Sequence, residues 1–99
     1  MGVLYISEYT EGFNPYAPTV GSEPATVQQK VTYGTTTASS AFRTDTKLVR
    51  LHNDAVSPCS YRFGPSGTTT TTADARMAAN QTEYFKVSPG HVVAAITNT

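Results

Sequence analysis

The chain has no tryptophan and only one cysteine, Cys59, among its 99 residues. A lone thiol excludes an intramolecular disulfide, and a small chain without disulfides is expected to fold in a reducing cytoplasm. An excess of charge of either sign is also missing, because seven Lys plus Arg balance seven Asp plus Glu. These charges are spread singly along the chain. Binding to nucleic acid or to an anionic membrane is therefore disfavoured, since both need a concentrated positive face. Long apolar runs are absent too: the longest is Val92 to Ile96, against the roughly 20 residues of a spanning helix. Met1 to Ser7 has no basic region and no small-residue cleavage site behind a long apolar stretch, so no signal peptide is expected there. Without secretion, the sequon Asn80-Gln81-Thr82 is expected to be a chance match.

What the chain has in quantity is threonine and serine, 17 and 8 residues, alternating with Val, Leu, Ile, Tyr and Phe between Pro and Gly punctuation. β-branched and aromatic side chains suit a pleated, half-buried surface, and no window of 11 or more residues sustains the apolar repeat of an amphipathic helix. The class is all-β. At 38% hydrophobic residues, below the usual ~45–50%, the core is expected to be thin and to gain from a partner surface or from copies of itself.

Val3 to Ile6 reads as a first strand. Gly12, Pro15, Pro18, Gly21 and Pro24 then break up a long excursion, which makes an arm of about residues 8–24. In Ala25 to Tyr33, Val27, Val31 and Tyr33 share one face with Gln29, and Thr26, Gln28, Lys30 and Thr32 take the other. Phe42 to His52 resumes the alternation with Val49 and Leu51 inward, Asn53 to Pro58 reads as a connection, and Cys59 to Phe63 alternates most cleanly. If residues 47–52 and 59–63 pair as a hairpin, directly opposed residues must share a face. Ala73 to Ala79 allows two helical turns capped by Thr72 or an extended edge, and its shortness favours the edge. Glu83 to Val87 and Val92 to Thr97 flank Ser88-Pro89-Gly90-His91, a type II turn signal that implies a hairpin or a sharp corner. The sum is one β domain over 1–99 with six to eight short strands, as in a small antiparallel β-sandwich, a jelly-roll-like fold or a small barrel. The expected core is Val27, Val31, Val49, Leu51, Tyr61, Phe63, Phe85, Val92 and Ile96.

No constellation of chemical groups emerges. Cys59 with His52 is the one nucleophile–base combination, and in such a hairpin the two side chains point to opposite faces, leaving Cys59 as a small core thiol. His91 reads as a solvated turn residue, and no set of metal ligands has suitable spacing. Glu8, Glu11, Glu23, Asp45, Asp54, Asp74 and Glu83 are scattered where single acids usually solubilise the chain. No catalytic, cofactor-binding or metal residue is expected, and the chain does not read as an enzyme. The early aromatics Tyr5, Tyr9, Phe13 and Tyr16 either fold over the core or meet a partner, and Tyr9, Phe13 and Tyr16 are the candidate partner-binding residues.

The stretch Arg76-Met77-Ala78-Ala79-Asn80-Gln81-Thr82-Glu83-Tyr84-Phe85-Lys86-Val87-Ser88-Pro89-Gly90-His91-Val92-Val93-Ala94-Ala95-Ile96 resembles the ending of small accessory structural proteins of tailed bacteriophages. The likeness covers about a fifth of the chain: a polar turn with Asn leads to Glu-Tyr-Phe, then Pro-Gly, then a Val- and Ala-rich strand. It implies a β-sandwich or jelly-roll head decoration or cement protein on the capsid surface, made in the host cytoplasm. Such a protein would bind the major capsid protein or other virion subunits, as a homo-oligomer and without cofactor. A tail or head-to-tail connector component is the rival of the same class. A carbohydrate-binding β module stacking sugars on Tyr9, Phe13 or Tyr16 is the rival of another class, and the lack of Trp weighs against it.

Overall fold

The computed structural model describes residues 2–10, 25 and 27–98. They form eight strands: β1 Gly2–Tyr9, β2 Val27–Tyr33, β3 Thr37–Ala38, β4 Leu48–Asp54, β5 Cys59–Gly64, β6 Ala75–Met77, β7 Thr82–Lys86 and β8 Val92–Thr97. All pairings are antiparallel, in two four-stranded sheets ordered β2-β1-β4-β7 and β3-β8-β5-β6. The sheets pack together as a small β-sandwich. β1 and β8 are interior strands of their sheets.

Alternation decides which side chains fill the space between the sheets. In the first sheet Leu4 lies between Val31 and Asn53, and Ile6 between Gln29 and Leu51, so the inward set comes from one parity of each strand. From the second sheet come Cys59, Met77, Val93 and Ala95. Tyr61 and Phe63 on β5 meet Phe85 on β7 across the gap, with ring centroids 5.3 and 5.0 Å apart, and Phe42 adds a fourth ring 6.2 Å from Phe63. Such tilted contacts contribute about 0.5–1.5 kcal/mol each beyond the area they bury.

Polar residues are buried as well, and Glu8 and Asn53 are the largest of them. Glu8 is 1% exposed on the inner face, and its carboxylate accepts hydrogen bonds from the Thr46 hydroxyl at 2.7 Å, the Gln29 amide at 2.9 Å and the Arg43 backbone N–H at 3.0 Å. It therefore ties the 43–46 loop to β1 and β2 rather than solubilising the chain. Asn53 is fully buried. Its carbonyl accepts from the Tyr33 hydroxyl, and its amide donates to the carbonyls of Ser57 and Ala78, both at 3.2 Å. Its own backbone donates to Gln81 O and accepts from Asn80 N–H. One side chain thus fastens β2, the β4–β5 connection and the 78–81 turn together.

Several expectations are corrected. β4 and β5 are not a hairpin, because β4 pairs with β1 and β7 while β5 pairs with β6 and β8. Two strands with apolar inner faces satisfy the same pattern side by side or across a core, and here they lie in different sheets. β7 and β8 belong to different sheets, so of the two expected alternatives Ser88–His91 is the sharp corner. Its geometry is the expected one, with Gly90 at φ 74° and His91 N–H donating to Ser88 O. Val92 and Ile96 lie on the outer face of β8, because Val93 pairs with Phe63 and Ala95 with Tyr61 on the inner one. β1 continues to Tyr9, so Glu8 and Tyr9 are strand and not arm. Residues 11–24 of that arm lie outside the described residues. Within Ala73–Ala79 the favoured alternative holds for Ala75–Met77, which is extended as β6 at a sheet edge, with turns on either side.

Candidate interaction surface

The two outer faces of the sandwich differ. On the second sheet the Thr-rich 68–72 segment folds over the strands. Thr70 is 3% exposed, its N–H donates to the Thr36 hydroxyl, and Asn98 donates to both Ser60 Oγ and Thr72 O. The underlying side chains are small for this reason. Ser60 and Ala94 are fully buried on this face, and a Cβ at Gly64 would run into Thr68. Asp74 secures the strap by accepting from the Thr70 hydroxyl at 2.7 Å and the Thr71 N–H at 3.0 Å, and these two bonds hold its carboxyl below the usual value.

Among the described residues, none straps the middle of the outer face of the first sheet in this way. Register places Lys30, Tyr5, His52 and Thr82 in one row across β2, β1, β4 and β7, and Gln28, Ser7, Arg50 and Tyr84 in the next. Tyr5 is 39% and Tyr84 54% exposed. The Lys30 ammonium lies 6.0 Å from the Tyr5 ring centroid, and His52 Nδ1 is 2.7 Å from the Thr82 hydroxyl. The alternation that fills the core from Leu4, Ile6, Val49 and Leu51 puts Tyr5 and Arg50 out here.

Of the residues selected from sequence, Tyr9 ends β1 and is buried at 4% exposure. Phe13 and Tyr16 lie outside the described residues. Cys59 and His52 are not brought together, for Cys59 is buried between the sheets while His52 is on the outer face of the first. Burial pushes the Cys59 thiol up, opposed by a hydrogen bond with Tyr33. Burial likewise raises Tyr33, which Asn53 opposes. Tyr61 is raised by burial and then by the Glu83 carboxylate. Among the described residues, no group of three or more His, Cys, Asp and Glu is placed to hold a metal ion. Lys30, Arg50, Tyr84 and Lys86 were missed as surface candidates. The signal that finds them is the outward parity of three segments already recognised as strands. Comparison with protein-family models, with curated proteins and with solved structures finds no match for the chain.

Proposed function

We propose that this chain is an accessory structural protein of a tailed-bacteriophage virion, a head decoration or cement subunit that binds the assembled shell. The observation that carries the reading is the pair of exposed tyrosines, Tyr5 and Tyr84, on an open sheet face whose counterpart is strapped by its own chain. Tyrosine gives large contact area at small entropic loss and tolerates a wet boundary. The C-terminal likeness supplies the virion context. The work done is differential binding: a subunit that binds the closed lattice but not its dissociated parts stabilises the lattice, by about 2.7 kcal/mol per site at a hundredfold excess over Kd.

The test is co-sedimentation with shells assembled from the major capsid protein encoded in the same genome. Binding to expanded shells and a raised disruption temperature are expected, with none to free capsid protein. Failure to bind shells defeats the reading, and antibody labelling of tails alone would give the tail or connector role instead. The exposed rings of Tyr5 and Tyr84 also favour a second reading, a carbohydrate-binding module with these residues in place of Tyr9, Phe13 and Tyr16. Saturable retention on a polysaccharide column, lost in Tyr5→Ser/Tyr84→Ser, would establish it.

A further inference from the structure

The molecule is neutral in sum, but its open face is not. Three of its seven basic residues, Lys30, Arg50 and Lys86, lie there, one each on β2, β4 and β7, and Asp54 at the end of β4 is the one acid on that face among the described residues. The other described acids are turned away: Glu8 and Glu83 to the inner face, Asp74 to the strap and Asp45 to Arg43. Among the described residues that Arg43–Asp45 contact, at 3.0 Å, is the one ion pair, so none of the three cations has a carboxylate partner among them. Arg50 stands in the middle, between Ser7 and Tyr84 on the neighbouring strands.

We infer that this face docks on an acidic protein surface, with carboxylates meeting Arg50, Lys30 and Lys86 and with Tyr5 and Tyr84 as anchors. The inference rests on the reading of the chain as a shell-binding subunit and names the face and the chemistry of its partner. A second copy is the wrong occupant, because a two-fold contact through this face would set one predominantly basic patch against its own copy. Single-stranded nucleic acid fits less well, since Lys30 already covers one side of the Tyr5 ring on which a base would stack. Four strands about 4.8 Å apart and some 20 Å long make a patch of roughly 400 Å2, about half of what each partner gives to a standard stable interface. A contact of that size is weak singly and gains strength when many copies bind one lattice.

The experiment has two arms. In the first, the purified protein is titrated with poly-L-glutamate and, separately, with oligothymidylate while its backbone amide NMR signals are followed. Poly-L-glutamate should shift amides of β1, β4 and β7, weaken as salt rises, and bind Lys30→Gln/Arg50→Gln/Lys86→Gln at least about tenfold less well. Absence of shifts on these strands, or tighter binding of oligothymidylate there, overturns the inference. In the second, wild type and the triple variant, each shown to be folded by circular dichroism, are sedimented with shells. Equal binding overturns the acidic partner while leaving the shell-binding reading intact. Shifts with poly-L-glutamate but no binding of either protein to shells uphold the face chemistry and defeat the virion reading.

Discussion

Replacing Asn53 by Ala tests whether one buried amide holds three parts of the chain together. The backbone bonds to Gln81 O and Asn80 N–H survive the change, so only the side-chain bonds to Tyr33, Ser57 and Ala78 are lost. Tyr33 is 2% exposed, and its hydroxyl would lose the Asn53 acceptor, a cost of about 1–3 kcal/mol. The Ser57 and Ala78 carbonyls lie nearer solvent and contribute the ordinary net value of about 0.5–1.5 kcal/mol each. The total is roughly 2–6 kcal/mol against a domain stability of about 5–15 kcal/mol. At about 4–8 °C per kcal/mol, Tm should fall by at least about 8 °C. Urea and thermal melts followed by circular dichroism give the number, with Tyr33→Phe and the double variant closing a cycle. The double variant should cost less than the sum of the singles, because Tyr33→Phe removes the hydroxyl whose Asn53 acceptor Asn53→Ala takes away. A loss below about 1 kcal/mol for Asn53→Ala, or strict additivity, would refute the reasoning.

Glu8→Ala leaves three donors without their acceptor and should cost about 2–4 kcal/mol in chemical denaturation, with hydrogen exchange fastest at Arg43 and Thr46; unchanged exchange there would remove the clamp assigned to Glu8. Cys59 and Tyr33 both have raised folded values, so their contribution is intact below their ordinary values of 9.0 and 10.0 and is lost as the unfolded chain ionises above them. Stability should therefore fall from about pH 9 upward, and a flat profile to pH 11 by urea titration would contradict the burial of both groups. Asp74 has the opposite sign: its lowered value adds stability that is full above 3.8 and lost as pH falls through the folded value, so acid should loosen the strap and raise exchange at Thr70, an effect absent in Asp74→Asn. Native-state labelling of Cys59 by a thiol reagent should be slow and limited by unfolding, while Cys59→Val keeps the fold; rapid labelling of folded protein would reverse this.

Alternation proved a reliable guide wherever one face is apolar and the other polar. It places Val31, Val49, Leu51, Cys59, Tyr61 and Phe63 against the core, and the Pro89-Gly90 dipeptide marks its turn correctly. Where both parities are apolar it fails, as in Val92 to Ile96, because what covers the second face of β8 is a threonine strap from elsewhere in the chain. It is equally silent on neighbours, since β4 and β5 carry the same inward pattern whether bonded edge to edge or opposed across the core. Glu8 and Asn53 were illegible for another reason. A polar residue reads as outward or as loop, and only its partners at Thr46, Gln29, Tyr33 and Ala78, distant in sequence, make burial tolerable. The open face was implicit in the outward residues of β1, β2, β4 and β7, but only the strand order sets Lys30, Tyr5, Arg50, Tyr84 and Lys86 side by side.

The first and last strands each occupy an interior place, β1 between β2 and β4, β8 between β3 and β5. During synthesis, then, a growing chain can begin the first sheet early but cannot complete the second until Val92–Thr97 has been made, because among the described strands β3 bonds to β8 alone. The small β3 and the strap over β8 wait on the same event. Such a molecule has little to gain from folding piecemeal, and its many long-range pairings suit a slow, late and all-or-none closure on the millisecond-to-second scale. Damage near the C-terminus should accordingly be felt as failure of the whole fold, not as a frayed end.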